Sequence, residues 1–178
     1  MRAVAAILAA VLAVAAPPSA GAAPTSGTPR YLDAVRQELA RLGLSAACEP
    51  GKGICAFRKR LAGIGADVDV TATCSDATNT VYVAVPRLVV LEDRAGPPLA
   101  LARRLLDLNA RLVTAKLEWD ALSGAIRLTT VLSTDSNFDR KAFRSQVRAL
   151  LAAAERLLPE LEALAGAPPE PEAEAPAP

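Results

Sequence analysis

Hydrophobic positions change their period several times along this chain, and each change marks an element. Tyr31, Val35, Leu39 and Leu42 recur every three or four residues, the repeat of one helix face, and Gly43 follows as a stop. The pattern then alternates. Cys55, Phe57 and Leu61 share one face against Ala56, Arg58 and Arg60, with Lys59 interrupting the apolar row. Val68, Val70, Ala72 and Cys74 stand against Asp69, Thr71 and Thr73, and Val81, Val83 and Val85 form a third row after a turn at 76–79. Pro86 has no N–H for a ladder, so the third strand is expected to end there or to lie at an edge. The apolar run Leu88–Leu91 is too short to assign.

A helical period returns after Pro98, which suits a first helical position. Leu99, Ala102, Leu105, Leu106, Leu112 and Val113 make the expected apolar stripe, and Asn109 lies on it. A polar amide there needs partners, since leaving it unpaired costs about 1–3 kcal/mol. The reading favoured is a satisfied core amide tying helix to strand backbone, ahead of a ligand contact. A second hairpin follows: with a turn at 121–124, Trp119 opposes Ile126 and Leu117 opposes Leu128, so both inner rows meet. Asp139 then caps a long helix whose stripe runs through Phe143, Val147, Leu150, Ala154, Leu157 and Leu161. Arg140, Arg144, Arg148 and Arg156 are expected to stay in water, and Pro159 to kink the helix. The order α-β-β-β-α-β-β-α describes an α+β fold, an antiparallel sheet of about five strands with helices packed on it.

The two ends have other compositions. Arg2, the apolar run Ala3–Ala16 and the small residues Ala20, Gly21 and Ala22 form a secretory signal pattern over residues 1–22, too short to span a bilayer. A secreted or periplasmic protein starting near Ala23 is expected. Ala167–Pro178 is rich in Pro, Glu and Ala and has no large apolar residue, so an extended tail is expected there. Between them lies a single domain over residues 28–166. Removing Arg2 from a formal charge of +1 leaves a nearly neutral chain, which gives no reason to expect a nucleic-acid partner or stable membrane insertion.

Export places the three cysteines in oxidising surroundings, where thiols pair. The chain contains no His, so no imidazole activates a nucleophile, and the Cys48 to Cys55 spacing is not that of a zinc knuckle. A structural disulfide remains. If the first hairpin turns symmetrically through residues 62–67, Cys55 faces Cys74, and that pairing is slightly favoured; Cys48–Cys55, closing the Pro-Gly-Lys-Gly loop, is the alternative.

Other chemistry is sparse. Asp67, Asp69 and Asp76 could contribute oxygens to calcium only if they converged, and ordinary turn and strand carboxylates are favoured. Glu118 and Asp120 share a strand face, as the pair of a carboxylate-only hydrolase would, but such a pair needs a cleft and one raised pKa. Gly51, Gly53, Gly63 and Gly65 open no helix, so no phosphate loop is read there. No catalytic residue, metal or cofactor is assigned.

The run LLDLNARLVTAKLEWDALSGAIRLTTVLS, followed by a helix carrying RALLAAAERLLPEL, resembles the YbjN-like family, which shares its fold with the type III secretion chaperones. Asn109, Leu117, Trp119, Gly124, Ile126, Leu128 and Pro159 carry the resemblance. It implies a small, non-enzymatic and often dimeric protein, and, from the chaperone branch, one that binds extended segments of other proteins. The expectation is therefore an exported protein-binding or chaperone-like regulatory module with a protein or peptide partner and possible homodimerisation. The rivals are an envelope hydrolase using only the carboxylates Glu118 and Asp120, and a thiol-linked dimer with a redox role through an unpaired Cys48.

Overall fold

The computed structural model describes residues 27–91, 96–135 and 137–166. The expected signal segment 1–22 and tail 167–178 lie outside the described residues. The elements are α1 (Leu32–Arg41), β1 (Ala47–Glu49), β2 (Ile54–Leu61), β3 (Ala66–Ser75), β4 (Thr80–Val90), α2 (Leu99–Arg111), β5 (Lys116–Asp120), β6 (Ala125–Ser133) and α3 (Arg140–Ala165). All strand pairings are antiparallel, in the spatial order β1-β2-β3-β4-β6-β5. The architecture is α+β, with six strands where the alternation indicated about five. The extra strand, β1, is only three residues long, too short for a period to show.

Alternation decides which face is buried. Cys55, Phe57 and Leu61 on β2, Val68, Val70 and Ala72 on β3, Val81, Val83 and Val85 on β4, and Ile126 and Leu128 on β6 join one core with Val35, Leu39, Leu101, Leu105, Phe143, Val147 and Leu150 from the helices. The opposite face carries Arg58, Arg60, Asp67, Asp69 and Glu118, which are exposed. The second hairpin has the register its turn predicts, Leu117 opposite Leu128 and Trp119 opposite Ile126.

The first hairpin is tighter than a symmetric six-residue turn. Leu61 pairs with Ala66, Phe57 with Val70, and Cys55 with Ala72. Four residues, 62–65, make the turn, because Gly65 at φ 68° lets its N–H reach back to the Leu61 carbonyl at 2.8 Å. This moves Cys74 two residues past the position opposite Cys55.

Pro86 does not end its strand. β4 continues to Val90, and the proline falls where the β4–β6 register shifts, between Val85 and Val89, and beyond the last β3–β4 pair at Ala84. A missing N–H costs no ladder bond at such an irregularity. Leu88 and Val89 thereby rejoin the core. Pro159 likewise sits inside α3, which runs unbroken from Arg140 to Ala165.

Helix α2 is rotated from the expected stripe. Leu101, Leu105 and Leu108 are buried, whereas Leu99 is 57 % and Leu106 72 % exposed. The chain supplies more leucines than one face holds, and packing against α3 and β5 selects among them.

Candidate interaction surfaces

At one edge of the sheet, α2 closes β5. Leu117 donates its N–H to Asn109 Oδ1 at 2.8 Å, and Asn109 Nδ2 donates to the Leu117 carbonyl at 2.9 Å. One amide thus satisfies both outward backbone groups of an edge residue, as a neighbouring strand would. Lys116 Nζ adds bonds to the carbonyls of Asn109 and Leu112. Asn109 is part of the framework, with both its amide nitrogen and its amide oxygen engaged by the Leu117 backbone.

The other edge is half open. The Cys74 N–H donates to the Gly53 carbonyl at 2.8 Å, which fixes the phase of the β2–β3 ladder. Residues 55, 57, 59 and 61 then turn their backbone groups to β3, and residues 54, 56, 58 and 60 turn theirs outward. Strand β1 covers positions 54–56 and stops. The N–H and C=O of Arg58 and Arg60 face away from the sheet with no neighbouring strand among the described residues.

Cys48 and Cys55 are directly opposed in this pairing, at a position that exchanges no ladder bonds, and they form a disulfide with Cα atoms 4.0 Å apart. Such positions bring opposed residues closest. The favoured Cys55–Cys74 pairing is therefore corrected, and with it the idea of an unpaired Cys48. The free cysteine is Cys74, buried in the core, where desolvation and then the charge of Asp76 push its thiol up to about 11. A thiol so placed is a small hydrophobe, not a nucleophile.

Beside the open edge, α1 and α3 are joined by a carboxylate that the pattern did not reveal. Glu38 is fully buried on α1. It accepts from Arg140 at 2.9 Å and from Arg144, both on α3, and from Arg41 at 2.6 Å. Burial alone would raise its pKa, but the hydrogen bonds from Arg140 and Arg144 and the nearby charges outweigh it and hold the carboxyl below its ordinary value. Arg140 and Arg144 are thus not part of a purely solvated row. The signal in the sequence was the position of Glu38, one residue before the inward Leu39.

Below this cluster lies a groove of about 290 Å³ between α1, β2 and α3, floored by Leu44, Val147 and Leu151 and rimmed by Arg41, Lys59 and Arg148. Among the described residues, neither Lys59 nor Arg148 has a carboxylate within ion-pair distance. A larger groove of about 1020 Å³ lies where the end of β4 meets the last turn of α3. Its charged residues, Asp67, Arg87 and Glu162, are of mixed sign, and among the described residues no ion pair joins them.

The carboxylates considered for chemistry are dispersed or neutralised. Asp67 pairs with Arg60 and Asp69 with Arg58, while Asp76 caps the Arg30 N–H at the opposite end of β3. Glu118 accepts from Tyr82 and Thr129, and Arg127 lies between Glu118 and Asp120. Asp120 is held below its ordinary pKa, first by Ser123. That is the wrong direction for a general acid.

The remaining prominent feature is apolar. Leu99 and Leu106, two turns apart on α2, point outward, and Val113, 92 % exposed, follows just past the helix end. Among the described residues, no helix is long and apolar enough to cross a membrane.

No family model and no curated protein matches this sequence. Solved structures do match it. YbjN from E. coli, a candidate transcription regulator, superposes with a TM-score of 0.55 at 24 % identity over 74 % of this chain and 91 % of its own. The fold is YbjN-like. ExsC, solved in complex with ExsE, superposes with a TM-score of 0.56 at 18 % identity over 74 % of this chain and 93 % of that one. The YbjN-like fold of this chain is thus also the type III secretion chaperone-like fold.

Proposed function

We propose that this protein is a non-enzymatic protein-binding module that works by surface contact and pairs with a second copy of itself through α2. The observation that carries this reading is the outward pair Leu99 and Leu106 with Val113 beyond them. Large apolar side chains grouped on one exposed helix face are costly to leave in water and mark contact sites. The partly exposed Ala102 and the exposed Ala110 flank them and let another helix approach closely. A twofold axis crossing α2 sets Leu99 of one copy near Leu106 of the other, an isologous contact. The solved ExsC complex supports a protein partner for this fold.

Export belongs to the same proposal. The signal pattern over residues 1–22 supports it, and so does a disulfide on an edge strand, a bond that persists in oxidising compartments. The particle mass in solution, with and without Leu106→Glu, tests the binding reading. Amino-terminal sequencing of protein recovered outside the cytoplasm tests export, with a start near Ala23 expected and an intact Met1 contradicting it.

A further inference from the structure

We infer that the groove between α1, β2 and α3 binds a soluble single-chain anionic amphiphile of the medium-chain fatty acid class. Its alkyl chain lies on the apolar floor and its carboxylate meets the cationic rim. This goes beyond the contact reading and gives the module a small-molecule site at a surface separate from α2.

Lys59 is the residue that points there. It stands in the inward row of β2, between Phe57 and Leu61, where the alternation calls for an apolar side chain. It is half-buried at the rim of the groove. An inward charge on an edge strand discourages strand pairing, and that accounts for Lys59 by itself. It does not account for Arg148 of α3 and Arg41 of α1, which meet Lys59 around the same floor.

Positive charge is concentrated at this place. Arg41, Lys59, Arg140, Arg144 and Arg148 gather beside one carboxylate, Glu38: five cations against one anion, an excess of four. The whole chain has a formal charge of only +1. Glu38 is fully buried and already accepts from Arg41, Arg140 and Arg144, so it does not neutralise Lys59 or Arg148. A concave surface lined by one sign of charge draws the opposite ion.

The floor selects the kind of anion. Leu42, Leu44, Val147 and Leu151 offer no hydrogen-bonding side chain, whereas an alkyl chain laid on them removes apolar surface from water. A volume of about 290 Å³ is at the small end of ligand sites, room for one chain and not for a two-chain lipid. Among the described residues, none of the large apolar side chains that stand exposed lines this groove. The face is therefore not built to insert into a bilayer, and the chain comes to it as a free molecule.

The test uses the full chain and decanoate below its micelle concentration, followed by calorimetry and by the methyl resonances of Leu44, Val147 and Leu151. One decanoate per chain should bind saturably, shift those methyls and weaken as salt rises. Octanoate, two methylenes shorter, should bind about tenfold more weakly. Lys59→Gln with Arg148→Gln should weaken decanoate about tenfold or more with unchanged circular dichroism, since both side chains reach solvent. Equal binding of decyltrimethylammonium, acetate binding as tightly as decanoate, or undiminished binding by the double variant overturns the inference. Binding seen only with phosphatidylglycerol vesicles overturns it too, by making the face a membrane contact. Leu106→Glu should bind decanoate as the wild type does. Loss of binding in that variant would place the alkyl chain on α2 and overturn the site.

Discussion

Asn109 and Leu117 meet through both of their hydrogen-bonding pairs, so a side-chain amide does the work of a strand at the β5 edge. Asn109→Ala leaves the Leu117 N–H and C=O without protein partners and should cost about 1–3 kcal/mol in urea unfolding. Asn109→Asp keeps the acceptor and loses the donor, setting a carboxylate against the Leu117 carbonyl. It should be at least as destabilising as the alanine variant. A neutral Asn109→Asp would show that the amide is dispensable.

Glu38 fastens α1 to α3, and its effect depends on pH with a definite sign. Its folded pKa lies below the ordinary value of 4.5, so its contribution is fully present above that value and is lost as pH falls through the folded pKa. Glu38→Gln should therefore destabilise the protein at neutral pH by about 2 kcal/mol, with charged hydrogen bonds reduced to neutral ones. The gap from the wild type should narrow on acidification below about pH 4.5. A gap constant with pH would contradict the ionised clamp.

The disulfide and the free thiol make opposite predictions. Reduction, or Cys48→Ser with Cys55→Ser, removes a short loop closure and should cost about 2–3 kcal/mol in thermal or urea unfolding. Cys74, buried with its thiol pushed up to about 11, should resist an alkylating reagent in the native protein at neutral pH and react once the chain unfolds. Labelling of the native protein on Cys48 or Cys55 would contradict the bridge.

These features differ in how far the sequence alone exposed them. The β5–β6 hairpin was legible to the residue because Leu117, Trp119, Ile126 and Leu128 alternate strictly around a four-residue turn. The β2–β3 hairpin was legible as a hairpin and not in register. Either a four- or a six-residue turn keeps the apolar rows facing, and only the reach of Gly65 back to Leu61 decides. The disulfide followed that register, so the favoured partner of Cys55 moved with it. On α2, five leucines in thirteen residues give no unique stripe, and tertiary packing chose Leu101, Leu105 and Leu108. Glu38 stayed hidden because a glutamate near a helix end reads as solvated until α3 brings two arginines to it. The exposed apolar face of α2 was hidden for the complementary reason: Leu99 and Leu106 lie on the stripe that the helical period assigns to the core.

The particle mass of the purified full chain, compared with that of Leu106→Glu by light scattering across a concentration series, tests the binding reading most directly. The wild type should rise to twice the chain mass, and Leu106→Glu should stay at one chain mass with unchanged circular dichroism, since its side chain already faces water. A wild type that remains a monomer throughout, or a variant that dimerises equally well, would contradict it.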